Sequence, residues 1–251
     1  MNFTSEYQGV HGRSKDFDAS TVSQAPRHPL GTIKRDRLGR SYVYVKAGAV
    51  ALVAGNVIQS SAIVPNHLAN TPPAVAIGDT SFSYTPGATA ADANAYADGF
   101  LQIDTTPGNG RMYGISGHPA ITASTAFTLS LHKDDAIEVA LTTSSRVGLI
   151  ANPYNNVIQM PVTTATGTIA GVAVSAIPIA GYGWLQTWGP AAVLIAGTPA
   201  LGAMVMAPGA VAGAAEVIVA AGTLIVAQTV GNMMQVGVDT KNNAVFLRIS
   251  R

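Results

Sequence analysis

The sequence predicts an all-β protein: short-stranded β-barrel or sandwich modules behind an extended N-terminal arm. Three observations predict it. Apolar runs are short, alternate with period two and recur every 8–12 residues or so. Gly (26) and Pro (14) cut nearly every run. The chain is also poor in ions, with 11% charged residues against roughly 25% in an average soluble protein. Its 251 residues suffice for one large β domain or two smaller ones.

Taken in order, residues 1–40 read as an arm with no core of its own. Eight of the 14 basic residues lie at or before position 46. Lys34-Arg-Asp-Arg-Leu-Gly-Arg40 reads as a hairpin tip with Leu-Gly at the turn. The main β domain is expected over 41–70 and 151–251. Ser41–Lys46 alternates cleanly, with Val43 and Val45 on one face and Tyr42 and Tyr44 on the other. Val50–Val53 and Asn56–Gln59 follow as further strands. Residues 71–150 read as an inserted or second β module. Its strands are Ser81–Thr85, Phe100–Asp104, Arg111–Ser116, Ala126–Leu131 and Arg146–Ile150, with Ala90–Ala97 as a helical turn or loop.

From Val147 to Ala215 runs a belt of 69 positions without Asp, Glu, Lys or Arg. A segment like that buries most of what it carries. Strands are expected at Val157–Val162, Thr168–Val174, Gly183–Thr187, Ala192–Ile195, Met204–Met206, Ala215–Val219, Thr223–Ala227 and Ala244–Ile249. At the centre of the belt, Gly181-Tyr-Gly-Trp-Leu-Gln-Thr-Trp-Gly-Pro190 holds both tryptophans. Alternation places Tyr182, Trp184, Gln186 and Trp188 on one side. Either both indoles anchor a core, or one sits at a subunit interface.

Chemistry is sparse. There is no cysteine, which excludes disulfides and thiolate metal sites. His11, His28, His67, His118 and His132 lack metal-site spacing and read as surface or turn residues. Asp104–Gly110 has the flavour of a calcium loop but one carboxylate. Asp134, Asp135 and Glu138 form the one acidic cluster, a solvated turn or, less simply, the carboxylates of a glycan hydrolase. No P-loop, dinucleotide or nucleophile-elbow motif occurs. The expectation is a non-enzyme with no cofactor, metal or nucleic-acid partner. A net charge of +1 gives no pull toward nucleic acid or membrane. The polar start does not read as a signal peptide, and no apolar run suits a membrane helix.

Several phrases carry a likeness: Leu30-Gly-Thr-Ile33, Tyr42-Val-Tyr-Val-Lys-Ala-Gly48, Gly99-Phe-Leu-Gln-Ile103, Val139-Ala-Leu-Thr-Thr-Ser-Ser145, Asn152-Pro-Tyr154, Gly181–Ala191 and Ala244–Ile249. Over most of residues 30–250 the chain resembles the head decoration, or capsid cement, proteins of tailed bacteriophages. The resemblance implies a homotrimeric virion protein on the outer face of the capsid, made in the bacterial cytoplasm and bound to the major capsid protein. Arg35, Arg37 and Arg40, with Tyr42, Tyr44, Trp184 and Trp188, are the expected capsid or subunit contacts. The alternative expectation is a head-fibre or tail-associated adhesin for a host glycan. That reading needs Tyr42, Tyr44, Trp184 and Trp188 to form an exposed platform.

Overall fold

The computed structural model describes residues 18–162, 164–217 and 227–250. Those residues form fourteen strands and no α-helix. The chain divides into two compact units, residues 1–61 with 153–251, and residues 62–152. The division falls at 61/62 rather than at 70/71. Residues 62–70 belong with the second unit because Asn70 bridges Val147.

The first unit is a nine-stranded sheet. Its strands are β1 (Ile33–Arg35), β2 (Ser41–Lys46), β3 (Val57–Gln59), β9 (Ile158–Gln159), β10 (Ile169–Ala173), β11 (Tyr182–Ile195), β12 (Met204–Ala207), β13 (Gln228–Met233) and β14 (Lys241–Arg248). The order is β12-β13-β14-β11-β10-β3-β9, with β2 on β11 and β1 on β2. β11 is the hub. It pairs antiparallel with β2, β10 and β14. Gly189-Pro190, read as a break, lies inside this 14-residue strand. Proline cannot donate to a ladder. The buried amide of Gln186 takes up the carbonyls of Trp188 and Pro190 at 3.0 and 2.9 Å, so neither is left unpaired.

The second unit is a five-stranded antiparallel sheet in the order β4-β7-β6-β5-β8. Its strands are β4 (Ser81–Tyr84), β5 (Phe100–Thr105), β6 (Met112–Gly117), β7 (Phe127–Leu131) and β8 (Arg146–Ile150). Period-two alternation carries them. Leu101 and Ile103 point inward from β5 between exposed neighbours, as do Phe127, Leu129 and Leu131 on β7. One core results, with Tyr84, Tyr96, Tyr113, Phe82 and Phe127 among the aliphatics.

The strand expectations need correcting in places, and the open alternative over 90–97 is decided. Val50–Val53 forms no strand and contributes one bridge, Leu52 to Ile177. Of the two readings of Ala90–Ala97, the loop holds: the segment is a bridge at Ala91 followed by turns. β13 was missed because Gln228-Thr-Val-Gly-Asn-Met233 has a polar start and an internal glycine, and so does not alternate. The expected strand over 215–219 is reduced to bridges at Ala215 and Glu216 within the described residues. Residues 218–226, and with them most of the strand expected over 223–227, lie outside the described residues, as do residues 1–17 of the expected arm.

Candidate functional site: the aromatic cluster and the basic hairpin

Residues 18–35 fold back on their own chain. Ser23 bridges Tyr182, and β1 pairs with β2 from Ile33↔Val43 to Arg35↔Ser41. Beneath this return lies a cluster of Tyr42, Tyr44 and Trp184, with Ala19, Leu30, Val174 and Tyr182 packed around it. The Tyr44 ring stacks on Tyr182 at 6.0 Å and meets Trp184 at 5.0 Å. His28 covers both Tyr44 and Trp184 with its ring, and the Lys34 ammonium lies 5.3 Å from the indole centroid. The Tyr44 hydroxyl accepts the Arg27 N–H at 3.1 Å. Tyr42, Tyr44 and Trp184 are consequently only 2%, 2% and 3% exposed.

Trp188 does not join them. A bulge at Thr187 sets Gln186 opposite Tyr42 but Trp188 opposite Ser41. One extra residue reverses the alternation. Trp188 packs edge-on against Phe246 at 5.7 Å instead. Beyond the bulge, Val193 and Ile195 point into an aliphatic core with Val245 and Leu247. Period-two reading of the peptide thus holds to Gln186 and fails after it. The signal for the failure is the Gly189-Pro190 pair that follows.

The hairpin tip is as expected. Its turn is organised by Asp36, whose Oδ1 accepts the N–H groups of Leu38 and Arg40. Asp36 Oδ2 accepts Arg40 Nε at 2.6 Å and the Tyr42 hydroxyl at 3.3 Å. Burial pushes the Asp36 carboxyl up, but the Arg40 and Leu38 hydrogen bonds outweigh it and hold the group below the ordinary carboxylate range. Gly39 takes φ +78°, where a side chain would be strained. Arg40 is therefore engaged within its own turn. Arg35 and Arg37 are exposed, and no carboxylate among the described residues pairs with either.

A cavity of about 330 Å³ opens beside the cluster, lined by Asp18, Thr21, Ser23, Arg27, His28, Tyr44 and Trp184. The Ser23 hydroxyl donates to the Ala25 carbonyl, and Lys34 Nζ lies 3.4 Å from His28 Nε2. Burial, then Lys34 and Arg27, push the His28 imidazole below its ordinary value. The arrangement offers cationic and hydrogen-bonding groups over an aromatic floor. It does not aim a base at the serine.

The remaining candidates are held in structural roles. Glu138 is ion-paired with Arg111, and Asp135 accepts the Gly114 N–H at 2.7 Å. His67 and His118, read as surface or turn residues, are buried. His67 Nε2 donates to the Thr89 carbonyl and its Nδ1 lies at the Tyr96 hydroxyl. His118 Nε2 accepts the Tyr96 N–H while Nδ1 donates to the Pro119 carbonyl. Satisfied partners make burial of an imidazole tolerable, and no spacing rule on the sequence reveals them. No group of three His, Asp or Glu able to hold a metal occurs among the described residues, and no described helix is long and apolar enough to cross a membrane.

Comparison with protein-family models, with curated proteins and with solved structures returned no match. The fold and site define an all-β protein of two units whose aromatic cluster is sealed by its own N-terminal return.

Proposed function

We propose that this chain is a structural virion protein that decorates and stabilises the head of a tailed bacteriophage, bound as a homotrimer to the outer face of the major capsid protein shell. One observation supports the reading most: seventeen large apolar side chains stand exposed among the described residues of a chain with 27 formal charges. Leu201, Met204, Met234, Val236 and Val238 lie along the β12–β13 end of one unit, and Phe100 and Met112 on the outer side of the other. Where such side chains gather, as along the β12–β13 end, they mark contacts with other molecules. An assembly that covers them gains free energy by area, which suits a particle surface built from repeated copies. The resemblance over residues 30–250 points the same way. Exposed Arg35 and Arg37 are the polar contacts proposed at the particle. The adhesin alternative is weakened, because Tyr42, Tyr44 and Trp184 are buried beneath residues 18–35 and offer no platform to a sugar.

The test is co-sedimentation of purified protein with assembled heads, followed by imaging of the particles. Saturable binding at regular positions on the outer shell is the expected result. Protein left in the supernatant, or found on tail fibres alone, overturns the proposal.

A further inference from the structure

The charges of this chain are segregated. Residues 62–152 carry three bases and seven acids, a net −4. The other unit carries eleven bases and six acids, a net +5. Near-neutrality of the whole hides two oppositely charged units.

Each excess is concentrated where apolar side chains are exposed. On the first unit this is the hairpin at β1. Among the described residues β1 pairs with β2 alone, and its outer edge is open there. Tyr44 N–H donates to the Thr32 carbonyl and Asp36 N–H to the Arg40 carbonyl. Antiparallel alternation then turns the backbone groups of Ile33 and Arg35 outward. Ile33 and Leu38 are 54% and 69% exposed beside Arg35 and Arg37. On the second unit it is the outer side of β5 and β6, where Phe100 and Met112 are exposed opposite the core residues Leu101 and Tyr113. The turn after β7 crosses there. His132 N–H donates to the Gly114 carbonyl, and His132 Nε2 lies 3.6 Å from Asp98. Lys133, Asp134 and Glu138 are exposed on the same segment, with Glu138 paired to Arg111. With Asp98, Asp135 and Asp79 nearby, the acids still outnumber the bases there. Ile77, 69% exposed, and Asp79 lie in the turn that bonds to Ile137. An apolar, cationic edge and an apolar, anionic face are complementary in both respects.

We infer that the basic hairpin of one copy docks on the acidic outer face of residues 62–152 of a second copy, a head-to-tail contact between two different patches. Such a contact repeats from copy to copy and closes into a ring when the rotation permits. Opposite charges on the two patches speed encounter and fix register, while the apolar side chains supply the burial. The inference rests on the self-assembly part of the proposed function and assigns the hairpin arginines to a neighbouring copy rather than to the shell.

The experiment is mass measurement of the full chain in solution, with two charge-reversed variants. One is Arg35→Glu with Arg37→Glu. The other is Asp134→Lys with Asp104→Lys, two exposed carboxylates away from the Asp36 and Asp135 backbone bonds and from the Arg111–Glu138 ion pair. Tryptophan emission and circular dichroism check that both fold. Wild type is expected at a multiple of 25.6 kDa, weakening as salt rises. Each variant alone is expected at the single-chain mass, and an equimolar mixture is expected to recover the assembly, since reversed hairpin then meets reversed face. Folded variants that assemble like wild type overturn this contact and leave the homotrimer standing. Wild type at the single-chain mass overturns both. Variants that keep their oligomer but lose heads place the arginines against the shell and also overturn it.

Discussion

The two units solve the same packing problem differently. The second builds one continuous core from short strands whose apolar residues alternate, with aromatic and branched side chains on their inner faces. The first divides its interior among two aliphatic clusters and one aromatic cluster. Alanine and glycine leave its layers thin, and the aromatic cluster is completed by the return of residues 18–35. A unit rich in large side chains closes on itself. A unit made of small ones must borrow cover from chain that does not belong to its central strands.

Both tryptophans belong to the first unit, so their emission follows that unit alone. The largest expected effects use this. Trp184→Ala should cost about 3–5 kcal/mol and Leu129→Ala about 2–5 kcal/mol. In thermal melts, Trp184→Ala should lower the transition seen by Trp188, while Leu129→Ala should leave that transition in place and lower a transition seen by circular dichroism but not by tryptophan emission. Joint loss of both transitions in either variant would erase the distinction between the two interiors.

Alkaline titration tests them next. Burial, as the first cause, pushes Tyr42 of the first unit and Tyr84 and Tyr96 of the second up to about 12. The fold therefore favours the neutral phenol. That stability is fully present below the unfolded value near 10 and is lost as pH rises toward about 12. Phenolate absorbance from Tyr42, Tyr84 and Tyr96 should lag and then jump on unfolding. A smooth titration of all eight would contradict the burial.

Smaller effects probe the first unit's irregular hub. Gln186→Leu strips the hydrogen bonds from the Trp188 and Pro190 carbonyls and should cost about 1–3 kcal/mol by denaturant melt. Ser41→Ala should be neutral or stabilising by up to about 1 kcal/mol, because the Ser41 hydroxyl is buried without a partner among the described residues. A large loss in Ser41→Ala would mean that the hydroxyl is paired.

The same contrast explains what could be read in advance. In the second unit all five strands were legible to within a residue or so, because each alternates and each is bounded by turn residues. In the first unit the hairpin was legible from Leu38-Gly39, and β2 from its Tyr-Val repeat. The length of β11 was not, since Gly189-Pro190 looks like an end and is carried through as strand by its pairing with β14 and the Gln186 bonds. The candidate site was half visible. The arginines and aromatics were found, but alternation cannot report that residues 18–35 return to cover Tyr44 and Trp184. That contact joins positions more than 150 apart, Ser23 to Tyr182, and leaves no local trace.

The bulge at Thr187 acts as a phase setter for the end of β11. Every side chain from Trp188 to Ile195 owes its inward or outward direction to that single uncompensated position. Deleting Thr187 would leave composition almost untouched, yet it would turn Val193 and Ile195 toward solvent and drive Trp188 and Pro190 into the space they vacate. Strand inheritance here is a matter of parity: gaining or losing one residue inverts the sheet's two sides, whereas changing by two would spare them.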